Sequence, residues 1–462
     1  MRKIILSFLL IPLIFGGAGC SLLSPAAVKM KPVQLQYWRT EDDPESLGEL
    51  ITAYQKTHPN VEIIYKKMPV KDYDTKLLEA LAEDRGPDMF SIPNVWLRGW
   101  KSKLLPLPKE TTIPTMVVNQ QKQIVAQNKK SPTLSMIDLR GDFVELVTKE
   151  VVMPAPPDTP GGPETNKIYG LPLSLDTLAL YYNKELLKNA NIEKPPVTWT
   201  ELMDQAVILT ALDDKGELKQ SGVALGTSKN VRNYFDIMSA LMMQNGADMT
   251  DDGGWPRFDG YPMSGRGGGS YPPGVEALMF YESFAAEGAP NRTWSETMPD
   301  SLDAFITGRT TFYFGYPSDA KEIKMRAPKL DLAVAPLPQV DPNKVFNVAR
   351  YPIEVVSAKT KHPNEAWDFI QFISGKDKVS SYLAATKRPT AQRSLIREQL
   401  TNSEVGVFAS QILTARSWYR GADYPKAEEA FGQMIDTKPT VERPDLSWAV
   451  GQAASVISAT MP

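Results

Sequence analysis

Residues 33–92 alternate between two hydrophobic periods, and this alternation limits the fold more than any other feature of the chain. Residues 33–38 read as a strand. Asp43-Pro44 then supplies a capping residue followed by proline at the first helical position. Leu47, Leu50, Ile51 and Tyr54 recur at helical spacing on one face. His58-Pro59-Asn60 stops that helix, and residues 61–65 form the next strand. Residues 73–83 predict a second helix with Leu77, Leu78 and Leu81 inward. Gly86-Pro87 turns the chain into an apolar strand over 88–92. Strand and helix in strict alternation specify a parallel sheet covered by helices, an α/β fold.

The pattern lapses and then returns. Residues 109–166 are polar with weak periodicity and contain a proline- and glycine-rich stretch at 154–163, which predicts helical insertions and a surface loop. Residues 168–173 and 178–182 are strand-like again. Thr198-Trp199-Thr200-Glu201 is a capping box opening a helix to Thr210. A strand at 223–225 precedes a helix marked by Tyr234, Phe235, Met238, Leu241 and Met242 and ended by Gly246. Residues 250–273 predict a long exposed loop. Helices at 274–287 and 300–307 and strands at 310–314 and 332–335 follow. Ala366, Phe369, Ile370 and Ile373 mark a further helix closed by Gly375, and 391–460 is mostly helical. With 462 residues, 42% hydrophobic and 23% charged, the chain has material for two large globular units.

The first residues read as an address. Arg2 and Lys3 precede an apolar run and then Gly16, Gly17, Ala18 and Gly19, which is the pattern of a secretory signal peptide over 1–19. Cys20, the only cysteine, follows the small residues, and the stretch resembles a lipobox, with Gly17 in place of the usual aliphatic residue. Lipidation at Cys20 is expected, with 20–31 as a tether; cleavage nearby that leaves a free thiol is the alternative. No later run is apolar enough for a membrane helix. One cysteine and two histidines argue against a disulfide or a zinc site. The net charge of −3 gives no electrostatic case for nucleic acid.

Catalytic signatures are missing. G-x-S-x-G, H-E-x-x-H, C-x-x-C and the Walker loop do not occur. Gly265-Arg266-Gly267-Gly268-Gly269-Ser270 fails the dinucleotide pattern at its last position. The acids Asp248, Asp251, Asp252 and Asp259 do not have EF-hand spacing and read as a solvated loop. No metal and no cofactor is expected, and the chain is read as a non-enzyme. A secreted glycosidase with two facing carboxylates, or a sensory or adhesive surface lipoprotein, are the alternatives.

Ordered segments over nearly the whole mature chain resemble the solute-binding proteins of ATP-binding-cassette sugar importers, the family that includes maltose-binding protein. The set begins with Val33-Gln-Leu-Gln-Tyr-Trp38, His58-Pro59-Asn60-Val61 and Tyr73-Asp74-Thr75-Lys76-Leu77-Leu78. It continues with Gly86-Pro87-Asp88-Met89-Phe90, Asn94-Val95-Trp96 and Leu104-Leu105-Pro106-Leu107. Tyr169-Gly170-Leu171-Pro172-Leu173, Asp176 to Lys184 and Pro195-Pro196-Val197-Thr198-Trp199 are its most specific part. Phe305-Ile306-Thr307-Gly308-Arg309 and Pro363 to Ile370 complete it. The resemblance implies a two-lobed periplasmic-binding-protein-like fold of type II, each lobe a mainly parallel sheet with flanking helices. It implies a three-segment hinge near 174–178, 346–352 and 391–398. One lobe would comprise 30–174 plus 351–393 and the other 178–347 plus 398–462. It further implies a carbohydrate ligand held between closing lobes, permease subunits as partners, and a lipid-anchored, extracytoplasmic monomer.

A pyranose offers a weakly apolar face to aromatic rings and a rim of hydroxyls to carboxylates, amides and guanidinium groups. Trp38, Arg39, Thr40 and Glu41 lie at the carboxyl end of the first strand, where open α/β sheets bind ligands. By resemblance Asn94, Asp176 and Tyr316 fall on ligand positions of the family, with Trp96 beside Asn94. Asn230 follows a strand and is either a ligand residue or a helix cap. Arg350 and Tyr351 fall at the second crossing, and Trp418 and Tyr419 in the late helical region. Trp199, Trp367 and Trp448 read as core; Trp255 and Trp294 flank loops.

Overall fold

The computed structural model describes residues 30–118, 122–157, 162–265, 269–441 and 445–461. The expected signal peptide, Cys20 and most of the expected tether lie outside them. Val33–Arg39 (β1), Val61–Lys67 (β2) and Met89–Pro93 (β3) form a sheet in which β1 pairs parallel with both neighbours. The intervening helices, Pro44–Thr57 and Tyr73–Ala82, bury Leu47, Leu50 and Tyr54, and Tyr73, Leu77 and Leu81. Leu78, expected inward, is exposed. The apolar faces cover the sheet because every residue of β1 from Tyr37 to Arg39, and most of β3, is buried on both sides.

Residues 109–166 differ from the expected helical insertion. Glu110–Val118 (β4) and Ile124–Pro132 (β5) form an antiparallel hairpin, and Val152–Ala155 (β6) pairs with Thr165–Ile168 (β7). Two short helices, Met136–Asp142 and Glu145–Val151, lie between the pairs. The hairpin eluded the periodicity because its Thr, Gln and Lys residues stand mostly in solvent, so no apolar face alternates along it.

A second sheet has the order β12-β8-β11-β10-β9, from Ala179–Asn183 (β8), Ala211–Leu212 (β9), Leu218–Val223 (β10), Thr310–Gly315 (β11) and Leu332–Ala335 (β12). Only β10 and β11 are parallel; the other pairs are antiparallel. Helix Trp199–Ile208 begins with the expected capping box, Thr198 and Glu201 each accepting from the other's backbone N–H. Trp199 anchors it inside by donating to Gln244 Oε1 at 2.7 Å. Trp294 and Trp367 are buried, whereas Trp448 is partly exposed, against expectation.

After the second sheet the chain returns to the first. Asn347–Val348 (β13) pairs parallel with Ala415–Arg416 (β15), and Pro352–Val356 (β14) joins β3 antiparallel. Each sheet has its own apolar core, giving two lobes. Three stretches run side by side at their junction. Ser174 bridges to Thr390 and Thr177 to Ala349, Leu178 N–H donates to Val348 at 3.0 Å, and Arg350 N–H to Asp176 at 3.1 Å.

Candidate functional site

The end of β1 and the turn after it carry five consecutive polar residues, Arg39 to Asp43, to the junction. Arg39 is fully buried and bonds Asp42 at 2.9 Å, Glu354 at 3.3 Å and the Tyr382 hydroxyl at 3.2 Å. All three contacts are made by Nη2, and Nε and Nη1 are buried without a partner among the described residues. The fully buried side chain braces the first lobe out of a solute's reach, a correction to its expected role. Trp38 faces the other side of the sheet, buried beneath the Lys66 ammonium at 4.7 Å, and is also a packing residue. Thr40 is half-buried and Glu41 exposed.

Glu41 pairs with Arg388, which bonds Asp176 at 2.7 Å and lies 3.7 Å from Asp42. Asp176 is 4% exposed, and its Oδ1 has no partner. Burial pushes its carboxyl up to about 7, against the opposing pull of Arg388. Burial also works to raise Asp42, but Arg39 and Arg388 outweigh it and leave that carboxyl below its ordinary range. Asp176, expected on a ligand position, is one end of a buried bridge from the first lobe's turn to the first interlobe stretch.

Asn94 belongs to a second cluster. Its amide donates to Glu150 at 3.1 and 3.2 Å and to Ser417 at 3.3 Å, and its Oδ1 accepts from Tyr351 N–H at 3.2 Å. Glu150 also takes the Tyr351 hydroxyl and lies 3.3 Å from Arg420. All of Asn94's capacity is used internally, and Tyr351 is buried with it. Arg98 stands beside Arg420, and burial together with that neighbour lowers its pKa. Trp96 stacks on Trp100 at 5.9 Å and packs against both cores.

A third cluster surrounds Arg350, which lies 3.0 Å from Asp236, stacks over Tyr424 at 5.1 Å and approaches Glu428 at 3.8 Å. The Tyr316 hydroxyl donates to Asp236 at 2.9 Å. Burial raises the Asp236 carboxyl while Arg350 and Tyr316 oppose it. Three further expected ligand residues are corrected. Asn230 is neither ligand nor cap: it bonds Thr227, Trp294 and the carbonyls of Ser295 and Met298. Trp418 stacks on Phe235 and donates to Ser239, and Tyr419 bonds Thr460. Both lie in the second core.

The open space between the lobes lies beside the first cluster. A cavity of about 590 Å³ separates the start of helix Pro44–Thr57 from the start of helix Pro317–Arg326. Glu41, Asp43 and Ser46 line one wall, Ser318 and Lys321 the other, and Arg388 the floor. Lys321 pairs across it with Asp43, whose carboxyl is held down to about 2 by Lys321 and Lys67. Sequence reading missed Arg388, Asp236, Glu150 and Lys321. Each sits in a stretch with no motif, and only Arg388 was near a predicted crossing. Among the described residues no group of acids, histidines or cysteines has metal-ligating geometry.

The family model for bacterial extracellular solute-binding protein matches residues 38–379. The chain belongs to that family. A Brucella abortus protein described in general terms as a binding protein is 28% identical over 242 residues, which is 52% of each chain. The alignment thus spans about half the length of that relative. A maltotriose-binding protein of Pyrococcus abyssi is 22% identical over 77% of this chain and 63% of its own. Among solved structures, a cyclic α-maltosyl-1,6-maltose-binding protein of Arthrobacter globiformis superposes with a TM-score of 0.68 at 19% identity. That match covers 93% of this solute-binding protein and 99% of the other chain. A cyclo/maltodextrin-binding protein complexed with maltotetraose gives 0.66 at 18%, covering 93% and 97%. These likenesses establish the two-lobed fold of this solute-binding protein.

Proposed function

We propose that this protein is an extracytoplasmic, lipid-anchored binding protein that captures a sugar or oligosaccharide between its lobes and delivers it to an ATP-binding-cassette importer. The observation that carries the reading is the interlobe cavity. Its volume falls in the usual range for small-molecule sites. Its walls come from both lobes and present carboxylates, ammonium groups, one guanidinium and several hydroxyls, which suits a ligand rich in hydroxyl groups. The similar structures named for maltodextrin-type ligands point the same way.

Glu41, Thr40, Asp43, Ser46, Lys321 and Arg388 are proposed to meet the sugar. Arg350, Tyr316, Asp176, Asn94 and Trp96 act behind them, holding the junction on which the lobes pivot. The hinge is proposed at the three side-by-side stretches, with lobes of 30–174 plus 351–393 and 178–347 plus 398–462. Binding without chemistry accounts for all these features, and no observation favours the glycosidase or adhesive readings. A thermal-shift screen against mono- and oligosaccharides tests the proposal. A ligand at 100 times its dissociation constant adds about 2.7 kcal/mol of stability. A panel that leaves the melting temperature unmoved, sugar by sugar, contradicts it.

A further inference from the structure

The hairpin of β4 and β5 belongs to neither main sheet. Its base is seated on helix Pro363–Ser374, where Thr112 N–H donates to Asn364 Oδ1 at 3.4 Å and the neighbouring Leu134 N–H donates to Gln371 Oε1 at 2.8 Å. Across the strands Thr111 pairs with Ser131 and Ile113 with Lys129. Residues two apart on a strand point the same way, so these four share one face with Thr115. That face lines a cavity of about 410 Å³, whose other walls include His58 and, from the helix, Asp368 and Phe372. The volume falls in the usual range for small-molecule sites. A hairpin held by packing alone turns apolar side chains toward the body it covers. Here only Ile113 is apolar, and Thr111, Thr115, Lys129 and Ser131 are polar. Thr111 is 1% exposed, and its hydroxyl has no partner among the described residues. A buried hydroxyl is ordinarily bonded, so this cavity suits a polar occupant.

Two opposite charges face the same space. His58 Nδ1 lies 3.1 Å from the Tyr54 carbonyl, which can only accept, so Nδ1 carries a hydrogen and Nε2 turns to Asp368 Oδ2 at 3.6 Å. Oδ2 also accepts from the Tyr54 hydroxyl at 3.0 Å. His58 and Tyr54 thus hold the carboxylate in place and take one of its oxygens, which leaves Oδ1 for a ligand. Burial raises the Asp368 carboxyl, while His58, the Tyr54 hydroxyl and Lys129 oppose the rise. Lys129 stays exposed and near enough for its charge to act on Asp368, yet among the described residues the ion pair of Asp368 is with His58 alone. An anion in this cavity would meet Asp368, and a cation would meet Lys129. A ligand with one charge of each sign leaves neither group unmatched. Ile113 and Phe372 add apolar surface beside them for the ligand's carbon atoms.

We propose that this cavity is a second ligand site, separate from the space between the lobes, for a small zwitterion of the amino-acid class. The ligand's ammonium group donates to Asp368 and to the Thr111 hydroxyl, and its carboxylate accepts from Lys129, Thr115 and Ser131. Calorimetric titration with the common L-amino acids, one by one at millimolar concentration, tests it. At least one should bind with one site per chain. Its methyl ester lacks the carboxylate and its N-acetyl derivative lacks the ammonium group, so each should bind at least about tenfold more weakly, the usual loss for a hydrogen bond to a charged group. Lys129→Met, at an exposed position, should weaken the free acid by the same factor and leave the ester unchanged, a split that a merely structural lysine would not produce. Thr115→Trp, which fills the cavity, should abolish binding in a chain that still melts cooperatively, and Ser46→Trp should leave it intact. No binding by any amino acid overturns the inference. So does an N-acetyl derivative that binds as tightly as the free acid, or binding that is lost in Ser46→Trp and kept in Thr115→Trp, which would put the ligand between the lobes. Sugar binding is read separately by the thermal-shift screen, so the two sites can fail independently.

Discussion

Arg388 meets three carboxylates at once, and its own charge is secured by them. Removing it by Arg388→Met would strand Asp176 in the interior, while Asp42 keeps Arg39. Breaking a buried pair from one side typically costs about 3–5 kcal/mol, so urea unfolding of the variant should show a loss of that order. Asp176 itself gives a pH test. Its folded pKa lies above the ordinary carboxyl value, near 7. Between about pH 4 and 7 the folded state therefore binds more protons than the unfolded one, and stability attributable to Asp176 falls as pH rises through that window. Asp176→Asn cannot titrate. Stability curves at pH 4.5 and 7.5 should show the variant gaining on the parent at the higher pH; a gap that is constant or widens contradicts the assignment. At this scale the sequence put Asp176 and Arg350 at expected crossings and marked Asp176 and Tyr316 as ligand positions. It did not reveal that their partners would be Arg388 and Asp236, because a long-range salt bridge leaves no periodic trace. The aromatic residues Trp38, Trp418 and Tyr419 misled for the opposite reason: composition cannot separate a ring that packs from a ring that binds.

Among the elements, those with a buried face were legible and the solvated ones were not. Helix Pro44–Thr57 declared itself through Leu47, Leu50 and Tyr54, and helix Trp199–Ile208 through its capping box. The hairpin of β4 and β5 has no continuous buried face, so neither period could register it. The capping box gives a direct check on the element it opens. Thr198→Ala removes the acceptor for Glu201 N–H, which lies 3.1 Å away, and should cost about 1 kcal/mol. Thermal unfolding that leaves the parent and variant indistinguishable would mean that Trp199 in its pocket, rather than the cap, fixes where this helix starts.

At the scale of the whole molecule, the two sheets meet through three stretches at the junction and are clasped at the cavity by Lys321 and Asp43. That clasp is solvent-exposed on both sides. Exposed pairs contribute at most about 1 kcal/mol, so Lys321→Met should lower the melting stability of the unliganded protein only slightly, with the difference fading at high salt. Closure must then be driven by the solute's own contacts with both walls, which is what a capture protein requires. Calorimetric titration of the best sugar from the thermal-shift screen tests this most directly, with the parent protein and with Ser46→Trp, which fills the cavity from the first lobe's wall. The account predicts one site per parent chain, sugar recovered chemically unchanged, and no binding by a variant that still melts cooperatively. Saturable binding that survives Ser46→Trp, or steady conversion of the sugar during the titration, would contradict it.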